Sequence, residues 1–217
     1  MLLVKCLTEN IFMKTSFYII ALISLVIFSS CKNEPKETVS ASEKAAEIEE
    51  ASSKINTSYA QIGLDIAFST KAQLGKNLMG TMKKKGTKEA LQFCNVRAIP
   101  LTDSMATVHH ARITRVSDKT RNPNNKANET ELKNIEAFKN ALANGDEITP
   151  ILETKNDSVY FYYPIVTNGM CLKCHGNQDS IENDVLASLK NLYPTDTALG
   201  YSENQVRGIW SISFKEK

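Results

Sequence analysis

Two cysteines separated by two residues, with a histidine directly after them, stand in "CLKCHG" as Cys171, Cys174 and His175. Few chemistries use that set. A thiol pair at this spacing can clip zinc, cycle as a redox dithiol, or add across the vinyl groups of a porphyrin while the adjacent imidazole binds its iron. Zinc needs four ligands, usually as two separated pairs, and here there is one pair with His175 crowded against it. A thioredoxin-like dithiol sits at the start of a helix in a βαβ unit, whereas "CLKCHGNQDS" runs through Gly176 and polar residues and reads as a loop following a strand. Covalently bound haem c accounts for every residue of the motif, with Cys171 and Cys174 as attachment points and His175 as an axial ligand to iron.

The opposite axial position is open at this level. Met170 lies on the His175 side of the attachment segment, but Met79, Met82, Met105, His109, His110 and Cys94 are distant enough in sequence to reach over. Taken alone, Cys94 reads first as a buried thiol that packs like a small hydrophobe. The adjacent His109 and His110 read first as ordinary surface or core histidines.

Compartment follows from the N-terminal region. Met13 and Lys14 precede "FYIIALISLVIF", Ser29, Ser30 and Cys31. An apolar run of about a dozen residues falls short of the roughly twenty a spanning helix needs, but it suits the core of a secretion signal. Small residues before Cys31 resemble a bacterial lipoprotein box, although Phe28 stands where a smaller aliphatic residue is commoner. The expectation is a signal peptide over residues 1–30, export to the periplasm, and a membrane lipid on Cys31. Residues 1–12 fit neither part of that signal, which makes Met13 an alternative start and would leave Cys6 unmade. Of five cysteines, Cys94, Cys171 and Cys174 then remain, an odd number that a plain disulfide framework does not explain.

Composition adds bounds rather than identity. A chain of 217 residues with formal charge +2 and 23% charged residues suits one sizeable domain. Basic and acidic residues nearly cancel, and the short run Lys83, Lys84, Lys85 comes with no stacking platform, so it reads as a solvated helix end and no nucleic-acid partner is expected.

The elements that must carry the motif can be placed by period. Residues 31–44 are polar and aperiodic, a flexible tether to the domain at 45–217. Ile48, Ile55 and Ile62 recur every seven residues with Tyr59 and Ile66 interleaved, which marks a long amphipathic helix with a break near Gly75 or Gly80. Its apolar stripe would let two copies pair. After Gly86, with Thr87 as N-cap, Ala90, Leu91, Cys94 and Ala98 share a helical face until Pro100 stops the run. Arg112–Val116 is a short strand, followed by the polar loop "SDKTRNPNNKANE". Leu132, Ile135, Phe138 and Leu142 form another helical stripe closed by Asn144 and Gly145. Then the period becomes two: residues 147–154 and 158–166 flank "KND" as a hairpin, and "VRGIWSISF" supplies a last strand. Helices first and antiparallel strands later give an α+β domain.

Four blocks in order, "ALQFCNVRA", "RITRVSDKTRNPNN", "YYPIVTNGMCLKCHG" and "LYPTDTALGYSENQVRGIWSI", resemble a bacterial family of exported c-type haem proteins with a PAS-like fold. The resemblance covers about residues 45–215. It implies a PAS-like antiparallel sheet with long N-terminal helices, and axial ligation of iron by histidine and cysteine. Carried onto this chain, the ligands are His175 and Cys94, and the odd thiol has iron as its partner. Arg115, Arg121 and Asn122 fall in the family's polar loop, where they would face haem propionates or simply stand in solvent. Family members also occur as sensor modules of signalling proteins. With no transmitter domain after Lys217, signalling here would need a separate periplasmic partner.

A thiolate opposite an imidazole favours ferric iron, so a low reduction potential is expected, with the thiolate bond weakening on reduction. The leading expectation is a lipid-anchored monohaem protein that senses redox state or a diatomic gas, or transfers electrons, with Cys94 as the labile ligand and no catalytic residue. The alternatives are a peroxidase-like enzyme using His109 or His110 as acid/base, and an interaction lipoprotein with a structural haem.

Overall fold

The computed structural model describes residues 41–216, with side chains from Ile48 onward. The expected secretion signal, Cys31 and the expected tether up to residue 40 lie outside the described residues, and residues 41–44, assigned to that tether, belong to the first helix.

That helix, α1 (Ala41–Lys85), runs 45 residues without a break, about 68 Å at 1.5 Å per residue. The expected interruption at Gly75 or Gly80 does not occur. A helical glycine costs only about 1 kcal/mol relative to alanine, and neither site is crowded by any neighbour. Tyr59 and Ile66 bury against the sheet, whereas Ile48 and Ile55 on the same stripe are 62% and 50% exposed. The helix ends at Gly86, whose φ of 98° is open to glycine and strained for other residues.

Helix α2 (Thr87–His109) passes through Pro100 rather than stopping before it. A proline removes one helical N–H and leaves the carbonyl four residues earlier without its donor. Here both Pro100 and Val96 are exposed, so water can serve that carbonyl. Thr102 Oγ1 donates to Ala98 O at 2.8 Å just past the proline. At its far end, His109 Nε2 lies 2.8 Å from Ser69 Oγ and ties α2 to α1.

Four strands, β1 (Arg112–Val116), β2 (Ile151–Lys155), β3 (Ser158–Val166) and β4 (Val206–Lys215), form one antiparallel sheet in the order β1-β4-β3-β2. The β2–β3 turn puts Asn156 and Asp157 at φ 52° and 55°, as a tight two-residue hairpin requires. β2 begins at Ile151 rather than at Glu147, the expected start.

The pleat divides the sheet's side chains between two clusters. Ile113, Val159, Phe161, Trp210, Ile212 and Phe214 bury on one side with Tyr59, Ile66 and Ala67 of α1. Val116, Tyr162, Val206 and Ile209 bury on the other with Ile135 and Phe138 of α3 (Glu129–Asn144). A capping box between Asn128 and Glu131 starts α3, and Gly145 at φ 77° closes it. Gly63 lets α1 approach the sheet, because a Cβ there would come 2.0 Å from the Phe161 ring.

β4 carries one extra residue. Ile165 pairs with Gly208 but Val166 pairs with Val206, leaving Arg207 unpaired in a β-bulge. Val206 and Ile209, three positions apart, therefore share a face, which an unbroken period of two forbids.

Between β3 and β4 the chain leaves the sheet and returns. Thr167 closes the neck of this excursion: its N–H donates to Gln205 O at 2.9 Å, and its carbonyl accepts from Asn204 N at 3.0 Å. The excursion holds α4 (Gly169–His175) and α5 (Asn183–Leu192). Val185 and Leu189 of α5 bury with Ile181 and with Leu91 of α2, and Cys174 packs against this third cluster. No helix among the described residues is long and apolar enough to cross a membrane.

Candidate functional site

The Cys171–Cys174–His175 motif lies on α4, a short helix, not in a loop. Asn168 makes it helical: its Oδ1 accepts from the backbone N–H groups of Met170 and Cys171 at 3.0 and 3.3 Å and from Cys171 Sγ at 3.3 Å. Residues three and four apart share a helical face, so the two thiols and the imidazole emerge on one side. The helical context removes one objection to a dithiol, but the neighbouring strands are antiparallel and the βαβ unit of such proteins is absent here.

His175 is held at one nitrogen. Nδ1 lies 2.8 Å from the carbonyl of Ala198; a carbonyl only accepts, so Nδ1 carries the proton and Nε2 keeps its lone pair. Arg207 Nε also comes within 3.3 Å of Nδ1, a contact of two donors and not a second hydrogen bond. Burial first, then the Arg121 and Arg207 guanidinium groups, hold the imidazole well below its ordinary pKa, hence neutral. Tyr201 presents its ring edge-on at 6.3 Å. His175 O and Gly176 O accept from Tyr201 N and Gly200 N, both at 2.9 Å, so the segment around Ala198 is pinned along the end of α4.

Cys94 sits on α2, one turn beyond the buried Leu91. Its thiol is pushed up by burial, while Arg115 and Arg121 pull the other way. Cys174 is raised to about 11, by burial foremost, and its environment includes Arg121, Cys94 and Cys171. Cys174 thus lies within electrostatic reach of both Cys94 and Cys171, and all three thiols are free. Among the described residues no group of three or more His, Cys, Asp or Glu side chains is arranged to hold a bare metal ion.

Three arginines converge on the same region. Arg115 is on strand β1, not in the polar loop, and reaches toward α2 with Nη2 3.5 Å from Thr102 Oγ1. Arg121 pairs with Asp196 at 2.9 Å, their side chains 10% and 6% exposed. It also donates to the carbonyls of Cys174 and Ala198. Arg207 leaves the bulge to donate to Ser117 Oγ at 2.8 Å and Lys119 O at 2.9 Å. Asn122, by contrast, only caps the 3-10 turn Pro123–Asn125.

Sequence reasoning singled out Cys94, Cys171, Cys174 and His175, and the structure gathers all four on α2 and α4. Other candidates stand apart. His109 is fifteen residues from Cys94 on α2, about 22 Å along the axis, and is bonded to Ser69. Met105 packs against the cluster of α1 and the sheet, and Met79 is exposed. Arg207 and Asp196 were not anticipated, since a lone cation on a strand and a lone carboxylate in a loop carry no sequence signature.

Such a site fits a flat porphyrin by the chemistry of its donors. It offers free thiols on α2 and α4, a neutral imidazole with Nε2 available, apolar packing around Cys174, and the guanidinium groups of Arg115, Arg121 and Arg207. Two comparisons bear on this geometry. A family model described as Tll0287-like matches residues 33–215. The crystal structure of the cyanobacterial heme-protein Tll0287 is similar in fold, with a TM-score of 0.51 at 20% identity, over 71% of this chain and 95% of that one. No curated protein matches the sequence.

Proposed function

The chain belongs to the Tll0287-like family, and from that premise we propose that it is a c-type haem protein: Cys171 and Cys174 would carry the porphyrin, and His175 and Cys94 would bind its iron. One observation carries the reading: the proton of His175 is committed to Ala198 O on Nδ1, which leaves a neutral Nε2 as a ligand. The heme-protein Tll0287, similar in fold, supports the cofactor class. A sheet flanked by long N-terminal helices is compatible with the PAS-like reading.

Haem bound here would supply a one-electron couple, which thiolate and imidazole ligands would bias toward the ferric state. The chain's own residues then have separate tasks. Ala198 orients the imidazole. Arg115 offers a guanidinium group to a carboxylate at the porphyrin rim. Leu91, Val185 and Leu189 exclude water beside Cys174. Cys94, on another helix from the attachment cysteines, is the ligand free to leave.

These features support a redox or diatomic-gas sensor, or an electron-transfer protein, that works with a separate redox or signalling partner. Export to the periplasm with a lipid on Cys31 is part of the proposal, supported by the apolar run and small residues before Cys31. The exposed Ile48 and Ile55 of α1 suit pairing of two copies. The deciding experiment is expression with a cytochrome c maturation system, followed by haem staining of a denaturing gel and optical spectra of both oxidation states. A stained band with a low-spin ferric spectrum is expected. An unstained band of bare polypeptide mass removes the proposal.

A further inference from the structure

We propose that Arg121 and Asp196 act as a positioning clamp for His175, fixing the plane and tautomer of its ring through the peptide of Ala198. The inference rests on the haem reading above and assigns a role to two residues that do not touch iron in it.

The Ala198 peptide is gripped at both ends. Its N–H donates to Asp196 Oδ1 at 2.8 Å, and its carbonyl accepts from His175 Nδ1 at 2.8 Å and from Arg121 Nη2 at 3.3 Å. The other oxygen of Asp196 pairs with Arg121 Nε at 2.9 Å. Arg121 Nη2 also donates to Cys174 O, the residue before His175. A closed circuit results: α4 is bonded through Arg121 to Asp196, through Asp196 to the Ala198 N–H, and through the Ala198 carbonyl back to α4 at His175. The guanidinium reaches three acceptors at once because its donors form a rigid fork. A lysine ammonium carries the same charge without that geometry.

An imidazole that donates well from Nδ1 is a stronger ligand at Nε2, and such outer contacts tune a metal centre. Loosening the clamp lets Ala198 O drift from Nδ1, weakens donation to ferric iron and raises the reduction potential. A purely electrostatic role gives a different pattern: loss of the Asp196 charge raises the potential, loss of the Arg121 charge lowers it, and Arg121→Lys changes nothing.

Those patterns are separated with haem-loaded full-length protein carrying Asp196→Asn, Arg121→Gln or Arg121→Lys, by redox titration and by electron paramagnetic resonance of the ferric state. The clamp requires the potential to rise in every folded variant, with a second low-spin signal from rings in a new orientation. Arg121→Lys decides, because its charge is unchanged. Wild-type potential and a single wild-type signal in that variant overturn the inference, as do opposite shifts in the other two. If Asp196→Asn does not accumulate, the two Arg121 variants still discriminate. Failure of the haem reading is visible separately, as wild-type protein without haem or without a low-spin ferric signal.

Discussion

Arg207 Nε stops 3.3 Å from His175 Nδ1, a nitrogen whose proton already faces the Ala198 carbonyl at 2.8 Å. A guanidinium so placed cannot add a hydrogen bond, but it opposes a positive charge on the ring.

Acid sensitivity of the haem-free chain follows from the burial of His175 foremost, and then from Arg121 and Arg207 beside it. The folded pKa of His175 is depressed, while an unfolded histidine titrates near 6.5. Below about pH 6.5 the unfolded chain binds a proton that the fold refuses, so stability falls as pH falls, by up to about 1.4 kcal/mol per pH unit. Above that pH the contribution is fully present and flat. Urea midpoints from pH 7 to pH 5 should show this slope in wild type, a flatter one in His175→Gln, and a narrower window in Arg207→Gln. Equal slopes in all three would refute it.

Cys94→Ser tests the proposed ligand. If Cys94 binds iron, the ferric spectrum loses its thiolate character and the reduction potential rises, since a donating ligand is gone. Unchanged spectra and potential exclude Cys94 from the iron.

Gly63 and Gly75 occupy the same helix, and alanine at each should act with opposite sign. At Gly63 the new Cβ meets the buried Phe161 ring, an overpacking cost of about 1–3 kcal/mol that outweighs a helix-propensity gain of about 1 kcal/mol. At Gly75 nothing is near, and only the gain remains. Chemical denaturation of Gly63→Ala and Gly75→Ala measures both.

Leu189→Ala removes a fully buried side chain from the cluster of α2 and α5. Such truncations cost about 2–5 kcal/mol. Because Cys174 packs on the same cluster, haem retention after mild denaturant should fall along with stability. A variant of normal stability would show that α5 is dispensable to the core.

Much of the framework was legible because its signals are local and periodic. The period of two through residues 158–166, the Gly145 stop and the hairpin at "KND", which the structure tightens to a two-residue turn, each depend on neighbours in the chain. Misreadings arose where tertiary context overrides a local rule. Pro100 is tolerated because water can reach the carbonyl it orphans, and Gly75 and Gly80 because the helix around them needs no help. α5 went unread, a ten-residue helix whose stripe of Val185, Leu186, Leu189 and Leu192 gains meaning only against Leu91. At the site, Cys171, Cys174 and His175 stand out through spacing, whereas Cys94 is singled out only through the family resemblance. Arg207 and Asp196 matter through where a bulge and a loop carry them.

The unpaired place of Arg207 in β4 also makes removing the residue a different event from truncating its side chain. Arg207→Ala would take away one cation and leave the backbone as it is. Excising the residue would make the ladder continuous, with Val206 two positions before Ile209 and still on the α3 side of the sheet, and would remove the local bend together with the cation. A single-codon deletion in this strand would thus straighten the strand beside the imidazole as well as strip it of its cationic neighbour, whereas alanine would do only the second.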